Sequence, residues 1–108
     1  LMFYRLRGRQ GEAQPFSRGV LVGADGRVEQ LSLENTIVEP LRTWTSKTGI
    51  AYPLEWRLQV AEHGIDVRVV AAFNAQEMRH TVHYWEGAVR VSGSHGGRGY
   101  LELSGYAR

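Results

Sequence analysis

Five residues near the end of the chain have the types needed to move a proton or to orient a polar ligand: Tyr84, Glu86, Arg90, Tyr100 and Glu102. They fall in YWEGAVRVSGSHGGRGYLELSGYAR, residues 84–108, which reads as two alternating strands around a glycine-rich turn. Strand parity sends Trp85, Val89, Val91, Leu101 and Leu103 to one face. It sends Tyr84, Glu86, Ala88, Arg90, Tyr100, Glu102, Ser104 and Tyr106 to the other. Directly opposed residues of an antiparallel pair lie ~4.5–5.5 Å apart, so Glu86 and Glu102 are near enough to share an arginine or a ligand. Inside a low-dielectric pocket such a carboxyl keeps its proton and serves as a general acid, and Glu86 and Glu102 are the catalytic candidates. Tyr84, Arg90 and Tyr100 are candidates for holding a ligand or a water beside them. On a solvated face the same set does nothing more than pair Arg90 with a glutamate, for little net stability.

Other constellations are weaker. HTVHYWE spaces His80, His83 and Glu86 by threes, which would gather a metal site on a helix but sends the two histidines to opposite faces of a strand. The flanking VHYWEGAVRV alternates as a strand, so no metal is expected. SHGGRG is glycine-rich, yet no helix follows to present amide dipoles to a phosphate. No GxSxG elbow occurs, so a Ser-His-Asp hydrolase is not supported, and no cofactor motif is found. Trp44, Trp56 and Trp85 could line an apolar cavity or simply fill the core. Trp56 suits the core, and Trp44, beside a loop, is the ligand-binding candidate at a cavity mouth.

The elements that must position these residues follow period two almost throughout. In YPLEWRLQV, Tyr52, Leu54, Trp56, Leu58 and Val60 share one face, with Pro53, Glu55, Arg57 and Gln59 on the other. IDVRVVAAF repeats the pattern through Ile65, Val67, Val69, Ala71 and Phe73, and Gly64 supplies the positive φ its hairpin turn needs. LMFYRLR reads as a strand with GRQGE as its turn. FSRGVLV and RVEQLSL flank Asp25-Gly26, a strong hairpin signal. NTIVEPLRTW is a further extended stretch in which Pro40 marks an edge or bend. TSKTG is a loop, and NAQEMRH holds at most one helical turn. Seven or eight sequential strands without crossover helices predict an all-β antiparallel meander, closing most naturally into a barrel, with a sandwich as the other solution.

The 108 residues suit one domain and one core. Thirteen basic residues, of which Lys47 is the one lysine, stand against eleven acidic ones for a formal charge of +2. They are scattered singly, whereas nucleic-acid binders gather theirs in a patch, so nucleic acid is not an expected partner. The chain has no cysteine. No apolar run approaches the ~20 residues of a transmembrane helix.

LMFYRLR, TWTSKTGIAYPLEWRLQV, YWEGAVRVSG and GRGYLELSGYAR, in this order and spacing, resemble the C-terminal lipocalin-like domain of the carotenoid 1,2-hydratase and AttH-like family, often labelled secreted hydrolases. YWEG followed by GRGYLELSGY is the more specific part. The resemblance spans nearly the whole chain and implies a calycin-type barrel paired with a preceding N-terminal lipocalin-like domain. It implies a hydrophobic ligand, isoprenoid or lipid-like, a periplasmic or secreted location, and a hydratase- or hydrolase-type activity of the whole protein. Hydrating an unactivated alkene needs a strong proton donor, the role in which Glu86 and Glu102 are tested below. The hydratases' own acidic residues are not carried over to this chain. A non-enzymatic carrier or an interdomain packing module is the alternative. Members of the family usually have one more strand, with Trp and Phe, ahead of the stretch matching LMFYRLR. A barrel lacking that strand exposes an edge, from which a homodimer joined through the N-terminal strand is expected.

Overall fold

The computed structural model describes residues 1–10 and 18–107, and the second half of the predicted GRQGE turn lies outside them. Among these residues, nine strands form two antiparallel sheets. The smaller joins β1 (Met2–Tyr4), β2 (Arg18–Val22) and β3 (Val28–Leu31) in sequential order. Its second hairpin turns where Asp25-Gly26 predicts, with Gly26 at φ 83° and the Gly23 amide donating to Arg27 O at 2.9 Å.

The larger sheet begins with β4 (Thr36–Thr45), β5 (Ala51–Val60) and β6 (Ile65–Ala71). Gly49 at φ 85° and Gly64 at φ 63° turn the two hairpins between them. It continues through β7 (Glu77–Arg79), the long β8 (His83–Gly93) and β9 (Gly97–Leu103). β6 pairs with the end of β8 and β7 with its start, while β9 pairs along the other edge. β6 and β7 thus form one interrupted strand, opened by residues 72–76.

That interruption corrects two expectations. NAQEMRH contributes a strand rather than a helical turn, because EMR completes the ladder beside His83, Tyr84 and Trp85. Phe73 leaves the apolar face predicted for it and is 70% exposed, since the strand ends at Ala71 and the chain bulges away. Gly87 matters at the same place: the Gln76 side chain occupies the space where a Cβ would stand.

A slip in β4 and β5 modifies the parity of YPLEWRLQV. Pairing passes from Pro40↔Trp56 to Arg42↔Glu55 and then to Thr43↔Pro53. Pro40 has no N–H to give the ladder, so this is where the register can break on an edge strand. Pro53, expected outward, is buried, and the Trp56 indole donates to Pro53 O at 2.8 Å.

Among the described residues the core has two clusters. Leu31, Leu58, Val60, Ile65 and Val67 join the small sheet to the β5–β6 hairpin. Tyr52, Leu54, Ala71, Trp85 and Leu103 form the other, with Tyr52, Leu54 and Trp85 fully inaccessible. The fold is all-β, antiparallel and lipocalin-like. Among the described residues no strand pairing joins the two sheets, so the barrel is open rather than closed by hydrogen bonds.

Candidate ligand cleft and a buried carboxylate

Between the β1 arm and the inner face of the larger sheet lies a cleft of about 1160 Å³. Its walls include Phe3, Leu21, Trp56, Val69, Val89 and Val91. These side chains come from β1, β2, β5, β6 and β8, and each faces inward by strand alternation. Leu58 and Val67 at its floor belong to the first core cluster. The slip at Pro53 brings Ala51 and Pro53 to the same cleft, whereas Tyr52 and Leu54 enter the second cluster. Cationic and polar groups border it, among them Arg5, Arg7, His95, Arg98, Tyr100 and Glu102.

Beside the second cluster the structure assembles a site absent from the sequence reading. The Glu77 carboxylate accepts hydrogen bonds from the hydroxyls of Ser46 at 3.0 Å, Thr48 at 2.8 Å and Tyr52 at 2.8 Å. Arg79 Nε lies 3.5 Å away, and only 3% of the Glu77 side chain is accessible. Desolvation is the largest influence on this carboxyl and raises its pKa. The Tyr52, Thr48 and Ser46 hydroxyls, with the charge of Arg79, together outweigh it and hold the group below its ordinary 4.5. Burial first, then the bond to Glu77, pushes the Tyr52 hydroxyl up to about 12. Glu77 is therefore an ionised acceptor and Tyr52 a fixed donor. The cluster binds β7 to the β4–β5 hairpin but offers no proton to a substrate. No sequence spacing relates Glu77 to residues 46, 48 and 52. The local signal is that Glu77 and Arg79 share a face once EMR is read as extended.

The sequence candidates are distributed as follows. Glu86 and Glu102 are direct partners across β8 and β9, as are Ala88 and Tyr100. Glu86 and Tyr84 are half-buried, Glu102 and Arg90 exposed, and Tyr100 is 67% exposed. Local desolvation, then the neighbouring Glu86 and Tyr84, raises the Tyr100 hydroxyl above its ordinary value. Arg90 stands opposite Arg98 rather than a glutamate. Glu102 and Tyr100 border the cleft. Trp44 lies within β4 and packs against the Tyr52–Trp85 cluster. Among the described residues, no three His, Cys, Asp or Glu side chains are grouped to hold a metal ion. No helix among them is long and apolar enough to cross a membrane.

The AttH-like family matches residues 1–106. Among solved structures, the chain is similar to a protein of Nitrosomonas europaea named as a candidate AttH, with a TM-score of 0.85 and 29% sequence identity. The match covers 96% of this chain and 33% of the other, so the chain spans about a third of that relative's length. No curated protein matches. A match over residues 1–106, on a lipocalin-like all-β fold, places the chain in the AttH-like family.

Proposed function

We propose that this chain is a binding domain for a hydrophobic small molecule, held in the cleft between the β1 arm and the larger sheet. The observation that carries this reading is the cleft itself: about 1160 Å³ with mainly aliphatic and aromatic walls, which water solvates poorly and an apolar ligand fills well. Trp56 stands in its wall, so intrinsic fluorescence reports occupancy. Titrating neutral isoprenoid alcohols and long-chain esters into the protein should give saturable quenching. A protein that binds none of them, and no long-chain carboxylate either, has no such function. The relative from Nitrosomonas europaea has about two thirds of its chain outside the matched part, and a neighbouring domain against the cleft is the partner this reading implies.

An enzymatic reading rests on a separate observation, the direct opposition of Glu86 and Glu102 with Tyr100 bordering the cleft. In it the pair supplies the acid for a hydratase- or hydrolase-type reaction of the whole protein. Glu86→Gln and Glu102→Gln should then cut turnover strongly while leaving Tm nearly unchanged. Full activity in both variants removes these residues from the mechanism.

The edge of β1 carries the partner expectation. Among the described residues β1 pairs only with β2, and Leu1, Met2 and Tyr4 are exposed. Pairing with a second copy would satisfy the free backbone groups and cover those side chains. Sedimentation at micromolar concentration tests it, and a clean monomer rejects it.

A further inference from the structure

The cleft is apolar along its walls but not at its border. Three arginines, Arg5, Arg7 and Arg98, line it against the carboxylate of Glu102. Two of them are brought together by the N-terminal arm. Arg5 and Arg7 follow β1 along the arm, and both line the cleft together with Phe3, whose ring packs against Gly19. Arg5 Nη1 donates to Val38 O at 3.4 Å, and Arg7 Nη2 donates to Ser104 O at 3.0 Å. The Arg7 guanidinium lies over the Tyr106 ring, 3.7 Å from its centroid. That stacking and the bond to Ser104 O fix the plane of the group. Tyr106 itself is fixed from behind by the Tyr52 ring, with centroids 6.0 Å apart. Its hydroxyl senses both charges: burial raises its pKa, and Arg7 and then Arg5 pull it down. Among the described residues, neither guanidinium forms an ion pair with a carboxylate.

A neutral hydrocarbon uses none of this. Two cations and a phenol at the end of an apolar trough match a molecule with a negative head and a long apolar tail. Resting on the reading of the cleft as a ligand site, we infer that the ligand is an anionic amphiphile of the long-chain carboxylate class. Arg5, Arg7 and Tyr106 hold its head, and Phe3, Trp56, Val69 and Val89 line its tail.

The test compares palmitate, methyl palmitate and hexadecanol, each below its aggregation limit, by quenching of tryptophan fluorescence in the intact protein. Palmitate should bind about 10- to 100-fold more tightly than the ester or the alcohol, the range expected for hydrogen bonds to a charged group. That preference should shrink as salt is raised. Arg5→Gln, at an exposed position, should reduce the preference to a few-fold by weakening palmitate more than the ester, with the far-UV spectrum unchanged. Arg7→Gln should do the same, with rescue by Arg7→Lys only in part, since lysine lacks the planar fork. Equal binding of all three probes, or a palmitate preference that survives Arg5→Gln and Arg7→Gln, overturns the head-group assignment while the cleft reading stands. Binding of none of the three overturns both.

Discussion

Around Trp85 the larger sheet is sealed, and a few residues along the same strands, around Val69 and Val91, it is open. The sealed region has a fully inaccessible Trp85 whose indole donates to Asn74 O at 2.7 Å, and a carboxylate, Glu77, with three hydroxyl donors. Both partners come from the break between β6 and β7: Asn74 from the bulge and Glu77 from the strand that resumes after it. In the open region β6 is regular: Val67 is buried in the first core cluster, while Val69 packs at that cluster's edge and lines the cleft. The difference shows where this small domain places stability and where it leaves room. Polar groups with no other solvent are satisfied inside the protein, and apolar groups left without a covering layer form the site where a ligand gains by replacing water.

The largest effect should come from Trp85→Ala. Removing a fully buried tryptophan typically costs about 3–5 kcal/mol, and denaturant unfolding should show it. A loss below about 1 kcal/mol would mean that the sealed region is no tighter than the open one.

Glu77→Gln follows, at about 1–3 kcal/mol, because Ser46, Thr48 and Tyr52 lose a charged acceptor. Its pH dependence has a defined sign. The folded pKa lies below 4.5, so the unfolded chain takes up the proton more readily. The contribution is complete above the unfolded value and is lost as pH falls through the folded one. The Tm gap between wild type and Glu77→Gln should therefore be widest near neutral pH and narrow on acidification below about 4.5. A gap independent of pH would deny the carboxylate its charge. Tyr52 acts at the other end: its folded value of about 12 exceeds the ordinary 10.0, so its contribution is full below 10.0 and is lost as pH rises through about 12.

In the open region Val69→Thr should cost about 1 kcal/mol or less, the low end for a hydroxyl taken from water, since this one can reach cleft water, yet it should weaken binding of an apolar ligand. Calorimetric Tm and a ligand titration on the same variant separate the two. A large loss of stability would mean that the cleft is core. The smallest effect belongs to Phe73→Ala, within about 0.5 kcal/mol, because this 70% exposed ring packs on neither region.

Local chemistry made much of the architecture legible. Asp25-Gly26 and Gly64 placed their turns, because few residues tolerate the positive φ those turns need. The alternation of residues 97–103 against 83–93 put Glu86 and Glu102 on one face, and the hairpin that closes at Val91 and Gly97 makes them direct partners. The candidate site was less legible. EMR is too short for periodicity to distinguish a strand from a helical turn, so Glu77 carried no signal of its own. Its three hydroxyl partners lie 25 to 31 residues away, brought to it by the hairpins.

The sequence by itself determined which residues alternate, where the chain turns, and which side chains share a face, because each depends on backbone sterics over a few residues. Tertiary structure alone decided which faces are covered. The slip at Pro40 and Pro53, the bulge that exposes Phe73, the shell around Glu77 and the stacking of Arg7 on Tyr106 all depend on where distant strands come to rest. Parity divides a strand into two faces, but only the packing of the other strands determines which face meets protein, which meets solvent and which lines a cleft.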